Sequence, residues 1–502
     1  MPRDAPYLTK SRYVQGLTCP KWLWLGWHEP APYAEPEPGS AAYVGIEVGK
    51  KAHLLFPSGV LIDFAPWQHA EAVKRTSDLM VDPAVLAIFE AALEYQGIRI
   101  RVDVLERLPG GGWGIREVKS SGSVKDDYIH DLAVQVYVLS GCGLDLRSIE
   151  LVHIDTSYVR GAGEIDWAAY FAREDLSETV NALLPDIPGQ AAELFDILAR
   201  STHPDIAPGK HCPDYCPFWD RCTKDKPEDW VLHLPRITGQ QLEKLSAQGI
   251  ESIRAIPDSF ELNETQARVR TVLKNGKPWV SPDLRKALRL FGPPAVYLDF
   301  ETVGPAIPLY EGTRPFQALP FQWSLHRLDA KGNLTHEEFL AKGDVDPRRA
   351  FTEALIAALD GSDEPIVVYS SFEHRIIREM ASLFPEHAKA LDRIAKRLVD
   401  LLPVVRAHVY FPEFSGSFSI KKVGPALAPN IDYESLDGIA DGQAAQTAFE
   451  RLASGNLAPD EDATSIRESL LRYCELDTLA MIEVHKSLKE LAADQPSKIH
   501  TK

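Results

Sequence analysis

No run of 18 apolar residues occurs anywhere in this chain of 502 residues, which argues against a membrane-spanning helix. The opening MPRDAPYLTK lacks the apolar core of a secretory leader, so a cytoplasmic location without membrane attachment is expected. Positive charge is in short supply: 54 Lys and Arg stand against 72 Asp and Glu, a net charge of −18. That balance argues against a general nucleic-acid coat protein. It leaves room for a nuclease, whose metal sites need carboxylates and whose basic track can be local. Cysteines number only six, at positions 19, 142, 212, 216, 222 and 474. In a cytoplasmic chain, a group of them signals a metal site more readily than a set of disulfides. Internal repeats and low-complexity tracts are absent. What remains is ordinary globular composition, 45% hydrophobic and 25% charged, with 37 prolines that predict many loops and short elements.

At about 150 residues per domain, the length predicts two to four domains. Residues 1–225 mix helical and strand-like segments, and a break follows at KDKPEDW (224–230). Residues 226–292 read as a connector of short helices, in which ITGQQLEKLSAQGIESIRAIP has the apolar spacing of a small helical hairpin. Between Glu264 and Leu290, seven Lys/Arg face two Asp/Glu, a local excess of positive charge in an acidic chain. From 293 to 491, strand runs and long helices alternate again. The tail 492–502 is expected to be frayed. The predicted fold class is α/β.

Cys212-Pro-Asp-Tyr-Cys216-Pro-Phe-Trp-Asp-Arg-Cys222 puts three thiols within eleven residues, and Cys19 in LTCPKWLWL is a distant fourth. Four thiolates suit zinc or an iron–sulfur cluster. Zinc favours close pairs, which one distant cysteine plus a Cx3Cx5C group does not supply; four unrelated buried thiols are the remaining alternative. Cys142 and Cys474 lie in apolar sequence and read as structural.

IRIRVDVLERLPGGGWGIREVKSS (98–121) reads as strand, glycine-rich turn, strand. Asp103 sits in the first strand; Glu117 and Lys119, two residues apart in the second, share a face. Two carboxylates on adjacent strands can hold a divalent cation, and a lysine beside them can orient or deprotonate water or neutralise phosphate charge. These are the requirements of phosphodiester hydrolysis; ordinary surface charges on a solvated hairpin are the plain alternative. Upstream, Gly49-x-x-x-His53 places a histidine on a predicted helix where it can complete the site. DLAVQVYVL (131–139) is a predicted helix with Gln135 and Tyr137. Together these motifs resemble the PD-(D/E)XK nucleases of the RecB type, in particular the CRISPR-associated and helicase-linked members with an iron–sulfur staple. The resemblance covers about residues 8–225. It implies a [4Fe–4S] cluster on Cys19, Cys212, Cys216 and Cys222, and metal ligation by His53, Asp103 and Glu117. Lys119 would be the catalytic lysine, and Gln135 and Tyr137 would lie near substrate. The usual spacing is Gln-x-x-x-Tyr, which Tyr137 does not keep, so Tyr128 is the substitute.

PPAVYLDFET (293–302) carries Asp299 and Glu301 on one face of an apolar strand. PIVVYSSFEHRIIREM is a strand followed by a helix, with Glu373 at the helix start. RYCELDTLAMIEVHKSL is a long helix on which Tyr473 and Asp477, four residues apart, share a face. Four carboxylates on separate elements repel one another unless cations join them, and two Mg²⁺ or Mn²⁺ ions would clamp an in-line displacement while the tyrosine orients water. In this order the motifs resemble the DnaQ-like 3′–5′ exonucleases of the ribonuclease H fold, tyrosine subtype. Glu373 stands where that family has aspartate; Asp400 is the reserve ligand. IPLYEGTRPFQALPFQWSLH, FPEFSGSFSIKKVGPAL and DGQAA further resemble a bacterial family of uncharacterised proteins that joins the two nuclease-like domains. In the same stretch, Lys421 and Lys422 reach phosphate or simply face solvent. The expectation is a Mg²⁺- or Mn²⁺-dependent nuclease acting on nucleic acid, DNA before RNA, at ends or single strands. A 3′–5′ exoribonuclease with a degenerate N-terminal domain and a non-catalytic iron–sulfur adaptor are the alternatives.

Overall fold

The computed structural model describes residues 5–31, 35–433, 438–458 and 461–495. The chain divides into two compact units, Met1–Lys224 with Pro305–Phe316, and Asp225–Gly304 with Gln317–Lys502. Both are mixed α/β. No helix among the described residues is long and apolar enough to cross a membrane.

The first unit is built on a sheet of seven strands. Its central hairpin joins Ile98–Arg107 to Trp113–Lys119. In the first of these strands Ile98, Ile100, Val102 and Val104 are buried and the residues between them are not, the period of two that sets one face against the core. The turn between them passes through Gly110, Gly111 and Gly112, all at positive φ, a region that side chains with a Cβ seldom enter. Trp113–Lys119 pairs in parallel with Leu146–Ile154, so the chain must cross over between them. The crossover is the helix Asp126–Gly141, buried along most of its length. It hangs Asp131 and Gln135 above Glu117.

The second unit holds a five-stranded sheet in the order Leu334–Leu340, Leu319–Leu328, Ala295–Val303, Ile366–Val368, Leu398–Asp400. The first two pairings are antiparallel and the last two parallel. Val296, Leu298 and Phe300, with Trp323 and Leu325 of the next strand, join one core with Phe351, Leu355 and Ile376. The alternate residues Asp299, Glu301, Gln322, Ser324 and His326 therefore belong to the opposite face. There the 32-residue helix Ala463–Asp494 crosses the sheet, receiving a hydrogen bond from Gln322 at Leu470 and meeting Ser324 and His326 at Thr478. One face of this sheet is thus oily and the other carries the chemistry.

Residues 226–292 fall inside the second unit. Three expectations need correction. The expected hairpin is one helix, Gly239–Ala247, followed by a single 3-10 turn, Ile253–Ala255, because Gly249 at positive φ and Pro257 bracket too few residues for a second helix. The last helix runs on to Asp494, so the tail does not begin at 492; residues 496–502 lie outside the described residues. Cys142 is exposed, just past a helix end.

Candidate functional site

Two acidic centres form, one in each unit. In the first, Asp103 and Glu117 face each other across the hairpin and a lysine from outside it lies between them. Lys10 Nζ is 3.0 Å from Asp103 Oδ1 and 3.0 Å from Glu117 Oε1. It opens the helix Lys10–Thr18, capped by the Thr9 side chain. The strand Leu8–Thr9 brings it there by pairing with Ile98 and Arg99. Lys119 Nζ lies 2.8 Å from Glu117 Oε1 and 2.6 Å from Asp131 Oδ2. Gln135 donates to Glu117 Oε2 at 2.8 Å, and its own Oε1 is buried with no hydrogen-bond partner among the described residues. The amide of Val118 donates to Asp103 Oδ2 at 2.8 Å.

Burial alone would raise the Glu117 carboxyl, yet Lys10 and Lys119 hold it well below the ordinary range. Burial and the Glu117 charge raise Asp103. Burial works against the Lys119 charge, but Glu117 and Asp131 outweigh it and raise this lysine above its ordinary range. Glu90 belongs to the same group: burial and Asp103 push it up to about 7. It sits at φ +57, opposite Asp103, where the pairing of Ala87–Tyr95 with Ile98–Arg107 is interrupted without a change of register.

Two predicted members stand apart. Tyr137 donates to Gln96 and packs on Tyr95, away from the carboxylates, because it lies two residues past Gln135 and so on another face of the helix. The Tyr128 ring instead lies 5.1 Å from Lys119 Nζ. His53 makes no hydrogen bond or ion pair with Asp103 or Glu117; it follows the helix Ala41–Ala52 and stacks flat on Phe89 with ring centroids 3.9 Å apart. Burial lowers its pKa and keeps the ring neutral.

Cys19, between the helices Lys10–Thr18 and Pro20–His28, lines one pocket with Cys212, Cys216 and Cys222. Burial raises the Cys212 thiol, and the other three cysteines raise it further. An ion pair between Arg221 and Glu29 joins the same two segments. Among the described residues, no three of these four sulfurs lie within 4.8 Å of one another. Thiolates on a single tetrahedral zinc would sit ~3.8 Å apart, from bonds of about 2.3 Å.

In the second unit, Asp299, Glu301 and Asp477 offer carboxylate oxygens within 4.8 Å of one another. Asp299, at the middle of Ala295–Val303, and Glu301, two residues on, lie on the strand that runs antiparallel to Leu319–Leu328 and parallel to Ile366–Val368, and Asp477 meets them from the long helix. The Tyr433 hydroxyl donates to Asp477 Oδ1 at 2.7 Å, and the Cys474 thiol lies 3.6 Å from Asp299 Oδ2. Tyr473 is buried on the same helix, with Lys421 Nζ 4.9 Å from its ring. Burial and mutual repulsion raise Asp299 and Glu301 well above the carboxylate range; burial also raises Asp477. Glu373 starts the helix Phe372–Leu383, accepts from Ser370 at 3.1 Å and is pushed by burial up to about 7. It is outside the tight group but lines a cleft of about 870 Å³ with Asp299, Arg236, Arg406 and Phe418. Asp400 caps the helix Leu401–His408 by accepting from the Leu402 amide, which accounts for it without a metal. Lys421 donates to the Ala440 carbonyl.

Sequence reasoning missed Lys10, Glu90, Asp131, Cys474 and Tyr433. Lys10 is 93 residues from Asp103, and tertiary pairing brings them together. Cys474 had a local signal, since it lies between Tyr473 and Asp477 on a helix already assigned.

A family model described as a domain of unknown function, DUF2779, matches residues 296–419. That range contains Asp299, Glu301 and Glu373 and ends before Tyr473 and Asp477. The chain is also similar to the uncharacterized protein MG366 of Mycoplasma genitalium, 28% identical over 220 residues, 39% of this chain and 32% of that protein. The MG366 homolog of Mycoplasma pneumoniae is 25% identical over 223 residues, 40% of this chain and 33% of that protein. The chain thus spans about a third of the length of these relatives.

Proposed function

We propose that the chain is a divalent-cation-dependent nuclease acting on DNA ends or single strands, with a ribonuclease H-like exonuclease centre in the second unit and a RecB-like centre in the first. The observation that carries this reading is the convergence of half-buried Asp299 with buried Glu301 and Asp477, three carboxylates from two elements with oxygens within 4.8 Å. Packing that much negative charge out of water is unfavourable unless a cation or protons join it. The donor set is all oxygen, which suits Mg²⁺ or Mn²⁺. Bound there, such ions would supply an activated water and neutralise charge at the phosphate.

The chain's own groups do the rest. Asp299, Glu301 and Asp477 are the holders, with Glu373 at the far side of the cleft. Tyr433 fixes the orientation of Asp477. Burial raises the Tyr473 hydroxyl far above its ordinary pKa, so it donates a hydrogen bond and orients water without acting as a base. Arg236 and Arg406 line the cleft where a polyanion would lie. In the first unit Asp103 and Glu117 would hold an ion, Gln135 keeps Glu117 in place, and Lys119 meets the developing phosphate charge. A [4Fe–4S] cluster on Cys19, Cys212, Cys216 and Cys222 would tie the first helices to residues 212–222, a structural staple.

The test is digestion of end-labelled, sequence-matched DNA and RNA strands with Mg²⁺ or Mn²⁺. Shortening of DNA that chelator stops is the expected result. RNA shortened in preference would move the reading to an exoribonuclease; no shortening of either would leave an adaptor. Anaerobically purified protein should be brown with about four irons per chain, and a colourless protein with one tight zinc would overturn the cluster.

A further inference from the structure

A second group of donor atoms lies on the same sheet face as the acidic centre but outside it. His326 and His336 are cross-strand partners on Leu319–Leu328 and Leu334–Leu340, with rings stacked at 4.3 Å. Glu475, on the long helix, has Oε1 3.8 Å from His336 Nδ1. One donor atom from each of the three lies within 4.8 Å of the other two.

The hydrogen bonds around the rings fix where their protons are. Thr478 has one hydroxyl hydrogen, and it is given to the Glu475 carbonyl at 2.8 Å, because a carbonyl can only accept. The Thr478 oxygen must then accept from its other two partners, Ser324 Oγ at 2.9 Å and His326 Nδ1 at 2.8 Å. So His326 carries its proton on Nδ1. Ser324, having donated to Thr478, has only its oxygen to offer to His336 Nε2 at 3.0 Å, so His336 carries its proton on Nε2. The nitrogens left with lone pairs are His326 Nε2 and His336 Nδ1, and the latter faces the Glu475 carboxylate. A lone pair facing a carboxylate calls for a proton or a metal ion between the two. Each outer nitrogen is meanwhile held by a hydroxyl, the arrangement that orients imidazole ligands in metal sites. Burial and the neighbouring His336 push His326 down to about 4, so it is neutral and free to ligate at pH 7.

We propose that His326, His336 and Glu475 form a zinc-type site, distinct from the carboxylate centre, that fastens two strands of the sheet to the helix carrying Tyr473 and Asp477. Two imidazoles and one carboxylate are a zinc ligand set with a fourth position for water. His336 and Glu475 are part-exposed, which leaves a side open for that water. The site does not depend on the nuclease reading: its ligands are borderline donors, whereas the neighbouring oxygens favour Mg²⁺.

The test is Zn²⁺ titration of the chelator-treated full chain by calorimetry in millimolar Mg²⁺, which occupies the all-oxygen centre, alongside thermal melts. The wild type should bind one Zn²⁺ more than His336→Ala and one more than Glu475→Gln. Saturating Zn²⁺ should raise the wild-type Tm by about 5 °C or more at 100 times Kd, with a smaller rise in both variants. Glu475→Gln, on a part-exposed carboxylate, keeps the comparison open if His336→Ala does not fold. Equal Zn²⁺ counts and equal Tm responses in all three proteins would overturn the site and leave an imidazolium–carboxylate ion pair.

Discussion

At Asp103 and Glu117, two ammonium groups stand within hydrogen-bond distance. At Asp299, Glu301 and Asp477, the hydrogen-bonding neighbours are hydroxyls and a thiol. The first centre meets its charge with its own lysines, so Glu117 is held ionised. In the second, the charge of Lys421 lowers Glu301 and Asp477 but does not outweigh burial, and the carboxyls are all raised. Similar acidic motifs therefore have opposite needs: a cation entering the first centre must displace Lys10, while one entering the second must displace protons.

The largest effect is expected from removing a carboxylate of the second centre. Asp299→Asn or Asp477→Asn should lower its cleavage activity by more than about 100-fold, beyond the 10–100-fold typical of outer partners. Product gels on labelled strands would show it, and a variant within a few-fold of wild type would remove that residue from the set.

Next comes Lys10→Met. Taking one partner from a buried ion pair destabilises by about 3–5 kcal/mol, and the part-exposed position of Lys10 places the loss at the low end. Denaturant melts should show the first unit weakened, with Mn²⁺ restoring more stability in the variant than in the wild type. Unchanged stability and an unchanged Mn²⁺ response would make Lys10 a bystander.

Glu373 probes the outer side of the second centre. Glu373→Gln should weaken cation binding and be partly rescued by high Mn²⁺, with Glu373→Asp retaining more activity than the glutamine. If Glu373→Gln cleaves like wild type, the residue only favours its helix start, worth about 0.3–1 kcal/mol.

The pH dependence sharpens the contrast. Glu373 titrates near 7, and Asp299 and Glu301 above the ordinary range, so these groups must release protons to bind a cation. Affinity of the second centre should therefore fall as pH drops below 7, by about tenfold per unit for each proton released. Calorimetry in buffers of different ionisation heat would count those protons, and a count of zero at pH 6 would contradict the assignment. The smallest effect belongs to Tyr137→Phe, expected within about 0.5 kcal/mol of wild-type stability with unchanged cleavage; a large activity loss would return Tyr137 to the site.

Local spacing made most of the acidic residues legible. Glu117 with Lys119 and Asp299 with Glu301 each follow from the two-residue repeat of a strand, and Tyr473 with Asp477 from one helical turn. Residues that arrive by tertiary pairing left no such trace. Lys10 follows a two-residue strand, Glu90 stands at positive φ opposite Asp103 in a break of the pairing, and Tyr433 reaches Asp477 across 44 positions. Tyr137 failed because a helix face tolerates a shift of three or four residues, not two.

The most direct test of two separate nuclease centres is product analysis on one end-labelled DNA substrate with wild type, Lys119→Ala, Asp299→Asn and the double variant, in Mg²⁺ and in Mn²⁺. The account predicts that each single variant loses a different part of the product pattern and that the double variant is inactive. An unchanged pattern in the double variant, with the fold intact by circular dichroism, would contradict it.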